Sequence, residues 1–489
     1  MIHSVVLIVT IPLLSALLIT ILGWFNRKLA WPLTVFSLGL TLLASVSAFS
    51  AVMEKGRLSY HLGSWAPPIG IEFSMDTLNA LVILMCSLVA FLVSIFARQS
   101  VRKELSKQEM PFYVLFLLLL TGLFGITLTG DAFNLYVMLE IAALTSYGLI
   151  AMGKGRAYLS TFNYIMMGTM GACFYLLGVG YLLLKTGSLN MMDIASRLTT
   201  MHFSTAVLIA FIFILLGMFV KMAFFPFHGW MPNAYTYAPT ATSCLVAPLM
   251  TKVSVYVMLR MMLTVFSLEF VYYVLQWQQL IVGAAVVAIV VGSFYALSQT
   301  TFKKMLTYLI VAEIGYMVGG AWLGTKMGLT GAIYHIVADG LMTACLFMVV
   351  GAIFYKTGIH TFDAMKGVFK KMPFTLFAFV IAALSMIGVP PTCGFFSKWF
   401  LISGAFEAGH YLFIAALLFS SLVNAILFFR LIEHGFFRGE DTGKASYNDA
   451  PITMLVPMLV SSVLLIVVGI YSNDIATLII ENILPGGVI

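Results

Sequence analysis

Six ionisable side chains stand inside long apolar runs of this 489-residue chain: Glu140, Lys221, Lys252, Glu313, Asp339 and Lys398. Placing any one at the centre of a membrane helix costs ~2.5 to 3.5 kcal/mol, so retaining six needs a reason. Burial raises a carboxyl pKa and lowers that of a lysine, while an opposite charge nearby reverses both shifts. A buried acid–base pair therefore titrates as one coupled unit and can pass a proton. One charge crossing 100 mV is worth about 2.3 kcal/mol and one pKa unit about 1.4 kcal/mol, so a relay of such groups can exchange work with a membrane potential. That chemistry calls for no redox cofactor or metal in this chain. The competing reading is a set of structural ion pairs that hold helices together.

The elements that position these groups follow from composition. Hydrophobic residues make up 61% and charged residues 9% of the chain, against roughly 25% charged in soluble domains, which excludes a water-soluble enzyme. The apolar runs are continuous rather than alternating, which favours helices over a membrane barrel. Fourteen spans are expected, near 4–24, 30–52, 76–97, 112–129, 132–152, 159–184, 205–228, 240–262, 272–297, 304–323, 328–354, 373–402, 410–432 and 451–473. The class is an all-α polytopic membrane protein. The first run lacks a basic lead-in and a small-residue cleavage pattern, so it is expected to be kept as a helix. Cys86, Cys173, Cys244, Cys345 and Cys393 are scattered singly and read as packing residues, and the 30 Met and 40 Phe read as packing and lipid contact.

The net charge of +7 reads as topology rather than nucleic-acid binding. Seventeen Lys and Arg fall in one set of loops, Arg438 and Lys444 among them, and six in the other: Lys55, Arg57, Lys185, Arg197, Arg260 and Lys326. The positive-inside bias then puts both termini on the non-cytoplasmic side of the cell (inner) membrane. Arg102, Lys103 and Lys107 are either orientation signals or contacts to anionic lipid.

Two spans look broken. Lys221 is followed by Pro226, Pro232 and Pro239, and Gly388, Pro390, Pro391 and Gly394 precede Lys398. Proline removes a donor and clashes with the preceding turn, and unwound backbone at membrane depth is tolerated only where it is buried in protein or lines a cavity. The breaks fall in spans seven and twelve, an odd offset that inverts one segment relative to the other. Division is expected into 1–110 (three spans), 111–265 (first inverted repeat, spans 4–8), 266–435 (second repeat, spans 9–13) and 436–489 (last span). Gly178 and Gly180 should let neighbouring helices approach, and Asp131 should cap the fifth span.

The runs TGDAFNLYVMLEIAALTSYGLIA (129–151), KMAFFPFHGWMPNAYTYAPTATS (221–243), QTTFKKMLTYLIVAEIGYMVGG (299–320) and GVPPTCGFFSKW (388–399) resemble those of the antiporter-like subunits of respiratory complex I, Mrp cation/proton antiporters and membrane-bound hydrogenases. The GDxFNLYVxxE run with its Ser-Tyr pair is most like the D subunit of Mrp antiporters. The resemblance implies that Glu140 modulates the charge of Lys221 and that Lys252 relays protons towards the centre. A cap on the broken seventh span is the alternative for Lys252. It further implies that Lys398 exchanges protons with the exit side.

In the eleventh span the family usually reads His, His, Lys at steps of four, and this chain has His335, Asp339 and Thr343. Asp339 either pairs with a lysine or binds a cation. Glu313 stands where Gln is common, and with Asp339 it either coordinates Na⁺ or binds protons through water. His228 either fixes the broken segment or gates proton entry.

The resemblance implies a proton-conducting subunit of a multisubunit Na⁺/H⁺ antiporter, with other membrane subunits, protons, a monovalent cation and the bilayer as partners. The alternatives are a pump module of a redox-driven membrane complex and a stand-alone solute carrier.

Overall fold

A computed structural model describes residues 2–200, 204–362, 365–437 and 448–484. Its helices, in chain order, are α1 (Ile2–Phe25), α2 (Ala30–Lys55), α3 (Thr77–Glu104), α4 (Glu109–Leu128), α5 (Ala132–Ala151), α6 (Ala157–Thr186), α7 (Met191–Thr200), α8 (Thr205–Lys221), α9 (Met231–Tyr237) and α10 (Thr240–Arg260). They continue as α11 (Gln278–Leu297), α12 (Phe302–Trp322), α13 (Lys326–Thr357), α14 (Val368–Lys371), α15 (Pro373–Ile387), α16 (Cys393–Glu407), α17 (Tyr411–Ile432), α18 (Ile452–Ile470) and α19 (Ser472–Asn482). Among the described residues, 12 helical segments are long and apolar enough to cross a membrane. Two shorter apolar helices, α8 and α15, each begin a crossing that a second piece, α9 or α16, completes. The chain is a multi-pass membrane protein, and the expected fourteen crossings are these twelve plus the two interrupted ones. Arg438 and Lys444 lie outside the described residues.

Helices α10, α12 and α13 are buried almost all round, whereas α1, α2, α6 and α18 turn large apolar side chains outward, Leu14, Leu43 and Leu184 among them. Helices apolar on every side are the expected core of such a bundle, and the outward leucines are where lipid belongs. Side-chain caps fix several starts. Asp131 accepts from Asn134 N–H (2.6 Å) at α5, and Thr325 accepts from Gly328 N–H (3.1 Å) at α13. Gly178 packs closely on α8 as expected, whereas Gly180 faces open space.

Both interrupted crossings stop ahead of their prolines. Helix α8 ends at Lys221, and Ala223 turns left-handed (φ 61°) before Pro226. Helix α15 ends at Ile387, and Gly388 (φ 93°) makes the turn before Pro390. A left-handed residue ends the helical path whatever follows it, so each helix has already stopped before its prolines are reached.

Three details depart from the sequence expectation. A short antiparallel pair, β1 (Leu58–His61) and β2 (Glu72–Met75), joins α2 to α3, with Leu58 opposite Met75. Helices α7 and α19 are short polar-faced segments that add no crossing. The ninth span begins at Gln278 rather than 272, because Phe270–Val274 forms a π turn instead of the start of α11.

Candidate ion-conducting site

Four of the expected site residues sit on two of the most buried helices, with partners on their neighbours. On α13, His335, Asp339 and Thr343 recur every fourth residue and share one face. Lys252 on α10 reaches that face: its Nζ lies 2.9 Å from Asp339 Oδ2 and donates to its own Ala247 carbonyl at 3.3 Å. Neither side chain of the pair is exposed at all. The Thr343 hydroxyl completes the carboxylate, donating to Asp339 Oδ1 at 2.7 Å. Of the two roles open for Asp339, the structure shows the lysine pairing. The alternative role for Lys252, capping the broken seventh span, is not what it does. Trp230 Nε1 instead donates to the Val220 carbonyl there, at 3.2 Å.

One turn earlier on α13, His335 faces the second half of the molecule. Its Nε2 is 2.6 Å from Glu313 Oε2 on α12, and its Nδ1 meets the Ser397 hydroxyl on α16. Thus α13 joins two acid–base pairs, one toward α10 and one toward α12 and α16. Each carboxylate is matched to its own base, and among the described residues no group of three or more His, Cys, Asp or Glu is placed to hold a metal ion.

Lys398 follows on α16, next to Ser397. Its Nζ donates to the Met386 carbonyl (2.8 Å), the Ile387 carbonyl (3.1 Å) and the Ser421 hydroxyl (2.9 Å), and it lies 5.5 Å from the Tyr316 ring centre. The first two bonds satisfy the open end of α15, where the helix has no following turn to do so. Tyr316 also stands 5.3 Å, ring to ring, from His335, so it lies between the histidine and the lysine.

At the other end of the molecule, Lys221 Nζ is 3.6 Å from Glu140 Oε1. The lysine is sealed, at 6% exposure, while the glutamate is 28% exposed on an α5 face shared with Val137 and Leu144. Among the described residues, no hydrogen bond or ion pair links this pair to Lys252. His228 lies in the interruption between α8 and α9, its ring stacked on Phe225 at 5.3 Å. The imidazole is half-buried beside the Pro226 backbone, within the interrupted segment itself.

Several buried polar contacts were missed in the sequence. Arg260, counted there as a loop cation, is buried at the end of α10 and bonds Asp76. Lys303, also counted in a loop, turns inward at the start of α12 and donates to the Ala238 carbonyl (3.0 Å) and the Ser243 hydroxyl (3.3 Å). Charges at span ends are ordinary, so neither position stood out. Ser397, Ser421 and Tyr316 carry no signal that separates them from other span residues.

The family described as NADH:quinone oxidoreductase/Mrp antiporter, TM, matches residues 129–424. Among relatives, the NADH-quinone oxidoreductase N subunit of Desulforudis audaxviator (strain MP104C) is 39% identical, with 99% of each chain covered. The Na(+)/H(+) antiporter D subunit of Bacillus subtilis (strain 168) is 31% identical, covering 92% of this chain and 90% of that one. A chain of the Mrp complex from Dietzia sp. DQ12-45-1b has the same fold, with TM-score 0.87 at 23% identity over 98% of this chain and 96% of its own. A chain of the membrane-bound sulfane sulfur reductase, an archaeal respiratory membrane complex, gives TM-score 0.89 at 29% identity over 97% and 96%.

Proposed function

This chain belongs to the NADH:quinone oxidoreductase/Mrp antiporter transmembrane family, whose members are antiporter-like subunits of multisubunit membrane complexes, and on that premise we propose that its buried acid–base pairs carry protons within the bilayer. The observation that carries the reading is the pair of contacts on α13. Asp339 with Lys252 and His335 with Glu313 place two titratable couples one helical turn apart in a helix buried almost all round. Lys398 and Tyr316 extend the line toward α15, and Glu140 with Lys221 is a separate couple in the first half of the chain. The division into two inverted five-span repeats is part of the same proposal, as is the placing of both termini on the non-cytoplasmic side.

Two kinds of assembly fit. Likeness to the D subunit of a Na(+)/H(+) antiporter supports exchange of protons for Na⁺ in an Mrp-type complex. The higher identity to the N subunit of a quinone oxidoreductase, over nearly the whole length of both chains, favours a module whose energy comes from redox partners. Co-purification separates them: small multi-span partners mean antiport, and iron–sulfur proteins mean a redox pump. In either assembly, Glu140→Ala and Lys221→Ala should abolish driven ΔpH formation in vesicles while the complex still assembles. Normal driven transport in both variants ends the proton-carrying reading.

A further inference from the structure

Lys252, Tyr256 and Arg260 recur every four positions on α10 and share one face of it. From Lys252 to Arg260 that face runs about 12 Å toward the side of the bilayer that carries β1 and β2. The Tyr256 hydroxyl donates to the Thr127 carbonyl (2.8 Å) and accepts from Arg260 Nε (3.0 Å). Arg260 clasps Asp76 with two bonds, 2.5 Å to Oδ2 and 2.8 Å to Oδ1. Asn79 closes the circuit: its backbone N–H donates to Asp76 (3.2 Å) and its Nδ2 to the Thr127 carbonyl (3.0 Å). Asp76 is 33% exposed while Lys252 is fully sealed, so the face spans the distance from the buried pair to the surface; among the described residues no hydrogen bond joins Tyr256 to Lys252, whose ammonium turns the other way, to Ala247. A cavity of about 30 Å³ lined by Arg57, Asp76, Asn79 and Arg260 adjoins the clasp, with room for a water.

A guanidinium keeps its charge at any physiological pH, and a fixed cation on a narrow polar route excludes protons and other cations from it. We propose, resting on the proton-carrying reading above, that the Arg260–Asp76 clasp is an outer gate on this route. Closed as seen here, it stops protons and monovalent cations from leaking back onto the Lys252–Asp339 pair. When Arg260 leaves Asp76 the route opens. Water entering between Lys252 and Tyr256 then bridges them, and the Tyr256 hydroxyl takes a proton from that water as its own proton passes to water outside.

The test uses the purified assembly in liposomes with a trapped pH dye, measuring passive proton flux under an imposed potential. Arg260→Gln should raise that flux about tenfold, the effect of removing one charge about 12 Å away at an effective dielectric constant of about 20. Adding Tyr256→Phe should return the flux to the parent level, which a merely loosened fold would not do. An intact Arg260→Gln assembly as tight to protons as the parent overturns the gate, and so does a leak that Tyr256→Phe leaves in place. If Arg260→Gln fails to assemble, the double variant Arg260→Gln with Asp76→Asn decides, because it removes the cation without stranding the carboxylate and retains an oxygen for the Asn79 N–H; a parent-like leak there also overturns the proposal. Failure of the proton-carrying reading shows separately, as normal driven transport in Glu140→Ala and Lys221→Ala.

Discussion

Lys252 Nζ and Asp339 Oδ2 meet at 2.9 Å with no exposed surface on either side chain, and this contact ties α10 to α13 at the centre of the bundle. Two opposite charges sealed together lose their hydration and recover it only through each other and their hydrogen bonds. The Ala247 carbonyl and the Thr343 hydroxyl supply those bonds. The pair is therefore both a joint between helices and a site where a proton can reside.

Double replacement separates the two roles. Lys252→Met alone strands the Asp339 carboxylate and should destabilise the chain by ~3 to 5 kcal/mol, as should Asp339→Leu by stranding the ammonium. The double variant removes both charges and should recover most of that stability while driven proton transport stays lost. Thermal unfolding in detergent alongside vesicle ΔpH assays checks this. Transport that returns with stability would make the pair a joint only.

Thr343 should tune Asp339 rather than carry protons itself. Thr343→Val deletes a hydrogen bond to a buried carboxylate, a change worth ~1.5 to 3 kcal/mol. Thr343→Lys places a second amine beside Asp339, in competition with Lys252, and should change the cation dependence of transport. An unchanged dependence across Thr343→Lys and the double variant Asp339→His with Thr343→Lys would show that this helix has not specialised.

The ionisable residues were legible because hydropathy makes a charge within an apolar run conspicuous, and steps of four put His335, Asp339 and Thr343 on one face without any structure. Their partners were not legible. Glu313 meets His335 only because α12 packs on α13, and a single sequence holds no record of which helices are neighbours. The interruptions were readable from Pro226 and Pro390, but the residues that turn the chain are Ala223 and Gly388, one of which has no breaker character. Arg260 and Asp76 escaped notice because each stands at a span end, where a charge is usually solvated.

His360, between α13 and α14, gives a pH signature outside the spans. Burial first, and then the nearby Lys303 cation, lower its pKa from the ordinary 6.5, and its ring lies 4.2 Å from that of Phe354. The folded chain thus binds this proton less readily than the unfolded chain, which makes the unfolded state the better proton acceptor as pH falls. Stability from this group is complete above about pH 6.5 and declines below it. His360→Gln should flatten that decline in unfolding curves between pH 8 and 5. An equal slope in both proteins would remove His360 as its source.

Lys398 should be irreplaceable by an acid in this chain. Its ammonium donates to the Met386 and Ile387 carbonyls, and Asn424 Nδ2 adds a third bond, to Met386 at 2.9 Å. A carboxylate has no proton to donate and would face two carbonyl oxygens, so Lys398→Glu sets like partial charges against each other at the open end of α15. Lys398→Met removes the donors without adding the repulsion, while Lys398→Arg keeps both charge and donors. Hydrogen exchange across residues 384–392 should therefore quicken in the order Arg, Met, Glu, and driven transport should survive only in the arginine variant if charge alone is needed there. Transport lost in Lys398→Arg with exchange left slow would locate the requirement in an ammonium that can release its proton, because a guanidinium does not. That outcome assigns Lys398 to the proton chain itself, and fast exchange with transport retained assigns it to the helix end.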